Sequence, residues 1–479
     1  MKIYIKTYGC TANHADSRYI AEAITSIGHT LCDEADADMI IVNTCTVTEC
    51  TEQRVLSYIR SHHHDHHSDN HCHHSDNHGK DMIVAGCLPA AQPEYMRHLG
   101  IDKFITPRTL NDITRLIPKN TTKPVPENTA PGLIPKNSLP TSTAIAVPME
   151  TMGSGHKTSH NNLSTSRAIT APVETTGRDR KTTHNRLPTS TAIAAVNIAT
   201  GCIGECSYCI VKKARGELTS KSIPEIKQEV TKLISNGIWE IQLAGQDTAC
   251  YGLDTGYSLP ELLDELSNIR GDFRIRVGMM NPAAAKNITG ELIEAYQNEK
   301  IYKFLHLPVQ SGSDTVLEDM KRHYKTEDYR KIISAFRSSY PDGIVSTDFI
   351  VGYPTERGED FQHTLALLRE VQAFKVNITR FSPRPHTKAS QLKEISSGIK
   401  KERSRELTKE HHRIARQILH RYIGKTCKVT VTKRGKNNTS VTRDDNYRYI
   451  VIKEKLPLTS QHKVKITDAA VTYLVGERM

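Results

Sequence analysis

Between Thr106 and Ser207 the chain has no Phe, Tyr or Trp, so no single aromatic-anchored core can run through its 479 residues. Thr, Ser, Asn and Pro dominate the stretch, and a period of 24 runs inside it. Leu139-Pro140-Thr141-Ser142-Thr143 returns as Leu163-Ser164-Thr165-Ser166 and again as Leu187-Pro188-Thr189-Ser190-Thr191. Leu116-Ile117-Pro118-Lys119-Asn120 likewise returns at Leu133 to Asn137. Such periods can mark solenoids, but each unit here lacks the large apolar face a solenoid must bury. Ordering entropy then outweighs burial, and residues 117–190 are expected to be a disordered linker. A second insertion, 61–79, holds nine of the 23 histidines and repeats His66-His67-Ser68-Asp69-Asn70-His71 as His73-His74-Ser75-Asp76-Asn77-His78. It reads as a solvated loop with at most adventitious metal affinity.

The rest is regular. Residues 2–7, 39–43 and 81–85 read as short buried strands, and between the first two runs a helical pattern with Tyr19, Ile20, Ala23, Ile24 and Ile27 on one face. Strand–helix alternation implies an open parallel α/β sheet, an N-terminal domain over 1–116. After the linker the alternation resumes. Strands are expected at Ala195–Thr200, Trp239–Ala244, Arg274–Met279, Lys303–Leu307, Ser346–Val351 and Val376–Arg380, with helices near 223–236, 259–269, 285–298, 326–337 and 360–372. Six βα units make an incomplete (βα)6 barrel over 191–420, short of the full eight. Beyond Gly424 the period changes to two, so a small all-β domain is expected over 421–479.

Eleven cysteines without a secretory leader argue for metal or redox chemistry rather than a disulfide framework. Cys202-Ile203-Gly204-Glu205-Cys206-Ser207-Tyr208-Cys209 puts three thiols in one loop directly after the first barrel strand, at the face where barrel sites assemble. Three thiolates can hold three corners of a cubane and leave the fourth iron open. Structural zinc, the competing reading, usually takes four closed ligands, and no matching pair follows. Cys10, Cys45 and Cys87 each follow the C-terminal end of one N-terminal strand. In an open parallel sheet those ends converge on the ligand crevice, so a second cluster is expected there. The alternative is three buried structural cysteines. Cys50, on the helix after Cys45, could compete as a ligand; Cys72 lies in the His tract, and Cys32, Cys250 and Cys427 read as small hydrophobes.

A formal net charge of +11 permits a polyanionic partner. No apolar run is long enough to span a membrane, and Met1-Lys2-Ile3-Tyr4 leads into Lys6 and Cys10 without an apolar leader, so a cytoplasmic protein is expected.

CxxxCxxC with an aromatic before its last cysteine resembles the radical S-adenosylmethionine (SAM) family. The whole chain apart from the two insertions resembles the methylthiotransferases, through Thr7-Tyr8-Gly9-Cys10-Thr11-Ala12-Asn13, Asn43-Thr44-Cys45-Thr46-Val47, His306-Leu307-Pro308-Val309-Gln310-Ser311-Gly312-Ser313, Asp348-Phe349-Ile350-Val351-Gly352-Tyr353-Pro354 and Phe381-Ser382-Pro383-Arg384-Pro385. The C-terminal segment with Thr442-Arg443-Asp444-Asp445-Asn446-Tyr447 looks like a TRAM domain, an RNA-binding β module. Gly245-Gln246-Asp247-Thr248, Gly278-Met279-Met280-Asn281-Pro282 and Lys213-Ala214-Arg215-Gly216-Glu217-Leu218 look most like the archaeal and eukaryotic threonylcarbamoyladenosine branch.

That resemblance implies two [4Fe-4S] clusters, at Cys10/Cys45/Cys87 and at Cys202/Cys206/Cys209. It implies SAM cleavage to a 5′-deoxyadenosyl radical, and methylthiolation of adenine C2 at position 37 of tRNA. A reductase or ferredoxin-type electron donor is implied as well; the sulfur donor is left open. Gln246 and Asp247, after the second barrel strand, and Gln310 and Ser311, after the fourth, are candidate SAM contacts, although each could merely cap a helix. Lys212, Lys213, Arg215, Arg421, Lys425, Lys428, Lys433, Arg434 and Lys436 are candidate phosphate contacts. Arg215 and Arg384 are the side chains suggested for the carboxylate of the threonylcarbamoyl group. The alternatives are a methylthiotransferase for isopentenyladenosine tRNA or a ribosomal protein, and a non-catalytic Fe–S RNA-binding protein.

Overall fold

A computed structural model describes residues 1–62, 81–118 and 191–479. Residues 119–190 of the expected linker and nearly all of the His-rich insertion lie outside the described residues; Ile117, expected as its first residue, is instead 2% exposed and packs in the N-terminal core.

In the N-terminal unit, β1 (Lys2–Thr7), β2 (Thr30–Leu31), β3 (Met39–Thr44), β4 (Asp81–Gly86) and β5 (Phe104–Ile105) form one parallel sheet in the order β2-β1-β3-β4-β5. Helices α1 (Thr11–Ser26), α2 (Glu49–His62), α3 (Cys87–Ala91), α4 (Pro93–His98) and α5 (Ile113–Leu116) connect and flank it. Strand β3 is apolar on both faces because both are covered: Met39 and Ile41 meet Ile20 and Ile24 of α1, while Ile40 and Val42 meet Val55, Leu56 and Ile59 of α2. Tyr19 departs from the expected apolar face. It is 43% exposed because it stands roughly 100° around the helix from Ile20, and its hydroxyl donates to Asn111.

The barrel strands run in chain order. Two parallel three-stranded sheets, β6 (Ile193–Asn197) with β9 (Glu240–Ala244) and β10 (Arg274–Arg276), and β11 (Phe304–His306) with β12 (Ile344–Val351) and β13 (Lys375–Arg380), are joined where Ile275 bridges Ile301. No pairing closes β13 onto β6 among the described residues, so the incomplete (βα)6 barrel is open at one side. The expected strand Ala195–Thr200 is split. After Asn197 the chain leaves the barrel, and β7 (Ala199–Thr200) pairs antiparallel with β8 (Thr219–Ser220), bracketing the loop that carries Cys202–Cys209 and α6 (Val211–Arg215). Around the strands lie α7 (Ile223–Ser235), α8 (Leu259–Ser267), α9 (Pro282–Ala285), α10 (Thr289–Ala295), α11 (Asp314–Asp319), α12 (Thr326–Ser339) and α13 (Gly358–Val371). Strand β10 stops at Arg276 because the Met279 carbonyl turns to accept from the Thr248 amide at 2.9 Å. The expected helix over 285–298 is shorter, α10 alone, with α9 ending where it was expected to begin.

Helix α14 (Ser397–His420) follows in a stretch that the sequence reading left unassigned. Its buried Leu407 and Ile414 enter the barrel core, and its Ala415 and Leu419 enter the next. That second core belongs to a closed five-stranded barrel, β14 (Thr426–Arg434), β15 (Ser440–Arg443), β16 (Tyr449–Ile452), β17 (Gln461–Ala469) and β18 (Leu474–Arg478), in the order β14-β15-β16-β18-β17. Closure removes exposed strand edges. Val429, Val431, Tyr447 and Ile450 share their core with Trp239, Tyr302, Phe304, Ile344 and Phe374, so the small barrel plugs the end of the larger one where the strands begin.

Candidate cysteine sites and the contact between them

The three N-terminal cysteines sit at the C-terminal ends of adjacent strands. Cys10 is the N-cap of α1, Cys45 follows β3, and Cys87 opens α3 after β4. Glycines create the room: Gly9 has φ +112°, and a Cβ there would stand 2.6 Å from Cys45 Cβ and 3.2 Å from its sulfur. Two buried asparagines pin the strand ends. Asn13 Nδ2 donates to the Thr44 carbonyl at 2.7 Å, and Asn43 Nδ2 donates to the Asn13 carbonyl at 2.8 Å. Cys45 and Cys87 are 4% and 3% exposed. Burial pushes both thiols up, and for Cys45 the neighbouring Cys87 and Cys10 push the same way. Arg215 opposes this for both.

In the second site the Cys202 amide donates to the Gly216 carbonyl and the Cys209 amide to the Cys206 carbonyl, each at 3.0 Å. The Gly204 amide donates to Cys202 Sγ at 3.3 Å, and Arg322 Nη1 donates to Cys206 Sγ at 3.4 Å. Arg322, missed in the sequence, is 7% exposed and is fixed by the Pro308 carbonyl at 3.0 Å from Nη2. Burial pushes Cys209 up to about 12, with Cys206 adding to it. Among the described residues no three His, Cys, Asp or Glu side chains close on a point that one metal ion could fill. A cubane is wider than an ion, and thiols backed by buried guanidinium donors suit a cluster whose sulfurs accept hydrogen bonds.

Arg215 joins the two sites. Six residues after Cys209, it crosses to the N-terminal unit, where Nη2 donates to Asp16 Oδ2 at 2.7 Å and to Asn13 Oδ1 at 3.2 Å. It is 3% exposed, and its Nη1 is buried without a hydrogen-bond partner. Asn197 Nδ2 donates to the other Asp16 oxygen at 2.7 Å. Arg384, after β13, makes another buried crossing, where Nη2 donates to Thr46 Oγ1 at 2.8 Å and to Glu52, while Arg18 with Glu229 and Lys232 with Glu22 cross nearer the surface. Arg215 and Arg384 are therefore spent in buried ion pairs between units. Neither is free at the rim for a substrate carboxylate or phosphate, which corrects the expectation for both.

The remaining candidates fall as follows. Gln246 Oε1 accepts from the Gly201 amide at 2.8 Å, tying the rim to the cysteine loop. Asp247 does cap: its Oδ1 accepts from the Ala249 amide at 3.1 Å and the Asn281 amide at 3.0 Å. Gln310 has φ +73° and Ser311 is 3% exposed, with its Oγ accepting from the Ser313 amide at 3.2 Å. All four sit at the barrel rim. Lys213, Arg421, Lys425, Lys428, Arg434 and Lys436 are exposed, whereas Lys212 and Lys433 are half-buried, Lys212 pairing with Glu217 at 3.2 Å. Cys50 is exposed on α2, and Cys250 donates to Asp247 Oδ2 at 3.0 Å.

Residues 2–105 match the uncharacterized protein family UPF0004, residues 196–368 the radical SAM superfamily, and residues 420–478 the TRAM domain. A probable threonylcarbamoyladenosine tRNA methylthiotransferase of Archaeoglobus fulgidus is 37% identical, covering 100% of this chain and 98% of that protein. One from Pyrococcus abyssi is 35% identical with full coverage of both. A threonylcarbamoyladenosine tRNA methylthiotransferase of Drosophila melanogaster is 30% identical over 99% of this chain and 77% of its own length. Likeness of this extent, end to end and across all three domains, assigns the family: the chain belongs to the radical SAM threonylcarbamoyladenosine tRNA methylthiotransferases.

Proposed function

We propose that this protein methylthiolates C2 of N6-threonylcarbamoyladenosine at position 37 of tRNA, giving the 2-methylthio derivative (ms2t6A). The observation that carries the reading is two separate cysteine triads on two α/β units whose contact runs through Arg215. Cys10, Cys45 and Cys87 would hold one [4Fe-4S] cluster and Cys202, Cys206 and Cys209 the other. When bound, the latter cluster offers SAM an open iron and one electron. An adenine C2–H is neither acidic nor electrophilic at neutral pH, so proton transfer alone would not functionalise it.

The chain's own groups serve this chemistry by position. Arg322 neutralises charge at Cys206, and Arg215 does so beside Cys87 and Cys10. Gln246, Asp247, Gln310 and Ser311 would line the SAM side of the rim, where Gln246 also fixes the start of the cysteine loop. Exposed Lys428, Arg434 and Lys436 on the small barrel suit phosphate contacts, which position RNA without reading its sequence. A reductase or ferredoxin-type electron donor and a cytoplasmic setting, where thiols stay reduced, belong to the same proposal. Among the described residues no helix is long and apolar enough to cross a membrane.

The test is reconstituted protein with SAM, a reductant and tRNA carrying either threonylcarbamoyl- or isopentenyl-adenosine, followed by nucleoside mass spectrometry. Methylthio product on the threonylcarbamoyl tRNA is expected. Product on the isopentenyl tRNA alone overturns the substrate, and absence of 5′-deoxyadenosine overturns the enzyme.

A further inference from the structure

The barrel lumen holds two cations without an acidic partner. Arg276, the last residue of β10, is 9% exposed. Its Nη2 stands 3.1 Å from His306 Nδ1, and its guanidinium lies 5.3 Å from the Phe304 ring centre. Lys375, the first residue of β13, lies at the same barrel level, since His306 is in register with Ser346 and Ser346 with Lys375. Among the described residues Arg276 makes no ion pair, and Lys375 makes neither an ion pair nor a side-chain hydrogen bond. The nearby carboxylate, Asp348, is already held by His306 Nε2 at 3.2 Å and by Asn377 Nδ2 at 2.6 Å. The nearby cation Arg443 is likewise consumed, with Glu240 at 2.7 Å and between the rings of Tyr447 and Tyr449 at 4.0 and 3.9 Å.

Burial pushes the Lys375 ammonium down from its ordinary value, and Arg276 and Arg443 push it further, against Tyr449 and Asp348. Such a cation is desolvated without full compensation, so an arriving anion gains more there than at the surface. The level lies below the rim: five residues after Arg276, the Asn281 amide donates to Asp247, which follows β9 on the rim.

We infer that Arg276 and Lys375 form the subsite for the carboxylate of the substrate's N6-threonylcarbamoyl group. The inference rests on the tRNA reading above and says which side chains make it selective. A guanidinium can take the carboxylate bidentately while the ammonium adds a point charge. An isopentenyl group, or an unmodified adenine, would leave the buried Arg276 and the half-buried Lys375 unpaired, which is how a polar site rejects an analogue.

The test compares one tRNA in two forms, with threonylcarbamoyl or unmodified adenosine at position 37, on the same reconstituted enzyme. Wild type, Arg276→Gln, Lys375→Met and Lys375→Gln are measured for Kd, KM and kcat. Charge-assisted bonds of this kind set the expectation that each neutral variant loses about 10- to 100-fold of the preference for the threonylcarbamoyl form, in Kd and KM rather than kcat. The double variant should bind both forms alike, and Lys375→Arg should retain most of the preference. An unchanged preference, or equal weakening toward both tRNAs, overturns the subsite while the substrate assignment stands. If wild type itself neither prefers nor converts the threonylcarbamoyl form, the substrate assignment falls and takes the subsite with it.

Discussion

Replacing Arg215 with Gln tests whether one buried guanidinium couples the two units. The Arg215 side chain is 2% exposed and the Asp16 side chain 3%, with Nη2 and Oδ2 2.7 Å apart. Removing one partner of a buried ion pair costs about 3–5 kcal/mol, because the survivor is left charged and dry. Domains of 150–250 residues lose roughly 2–4 °C in Tm per kcal/mol, so the first melting transition should fall by at least about 6 °C. Burial already pushes the Asp16 carboxyl up against the pull of Arg215 and Asn197. A neutral pair should therefore be tolerated, and Asp16→Asn combined with Arg215→Gln should recover most of the loss. Calorimetry of the metal-free chain reads both variants. A fall of less than about 2 °C, or a double variant as weak as the single, would refute the reasoning.

Three further outcomes are expected. Changing Cys202, Cys206 and Cys209 together to Ala should remove about half the iron and abolish 5′-deoxyadenosine formation; changing Cys10, Cys45 and Cys87 should also halve the iron yet leave some SAM cleavage, as iron and sulfide assays would register. Arg443→Met strands Glu240, which is 0% exposed, at a cost of about 3–5 kcal/mol, and Glu240→Gln in the same chain should restore much of it in a thermal melt. Excising 121–188 in favour of a short flexible spacer should leave iron content and tRNA modification largely intact; loss of either would count against the linker.

Elements with a strong local period were legible from the sequence. The strand ends that carry Cys10, Cys45 and Cys87 follow from β1, β3 and β4, whose apolar runs announce burial on both faces. Helix α14 was not, although its buried Leu407, His411, Ile414, Ala415 and Leu419 keep helical spacing, because a histidine and an alanine fill two of those positions and the surrounding run is charge-rich. Arg215 and Arg384 were misplaced for a different reason. Their partners Asp16 and Glu52 lie 199 and 332 positions away, and no local pattern names a partner at that separation. Lys375 and Arg276 were invisible in the same way: what distinguishes them is a missing neighbour, which only three dimensions can show. Tyr19 shows the converse error, an aromatic counted into a face that Ile20 and Ile24 fill without it.

The contact between the units sets a small apolar patch, Cys87 and Ala91 against Ile210 and Ala214, beside a buried polar cluster where apolar packing alone would bind more simply. Asn13, Asp16, Asn197 and Arg215 are all buried there, and each is hydrogen-bonded to a stated atom across or beside the junction. Apolar residues of similar volume often match or exceed a buried ion pair in stability, so stability alone does not explain the choice. Directional bonds do something apolar packing does less well: they admit one register. Apolar surfaces can slide by an ångström at little cost, whereas Asp16 loses Arg215 or Asn197 if the units shift. Chemistry that joins groups held on two separate units is sensitive to errors of that size, because misplacement by about 1 Å can cost about 10²-fold in rate. Helix α1, capped by Cys10, carries Asp16, and helix α6, two residues after Cys209, ends at Arg215, so the ion pair that helps set the register joins the two elements that carry the cysteine sites.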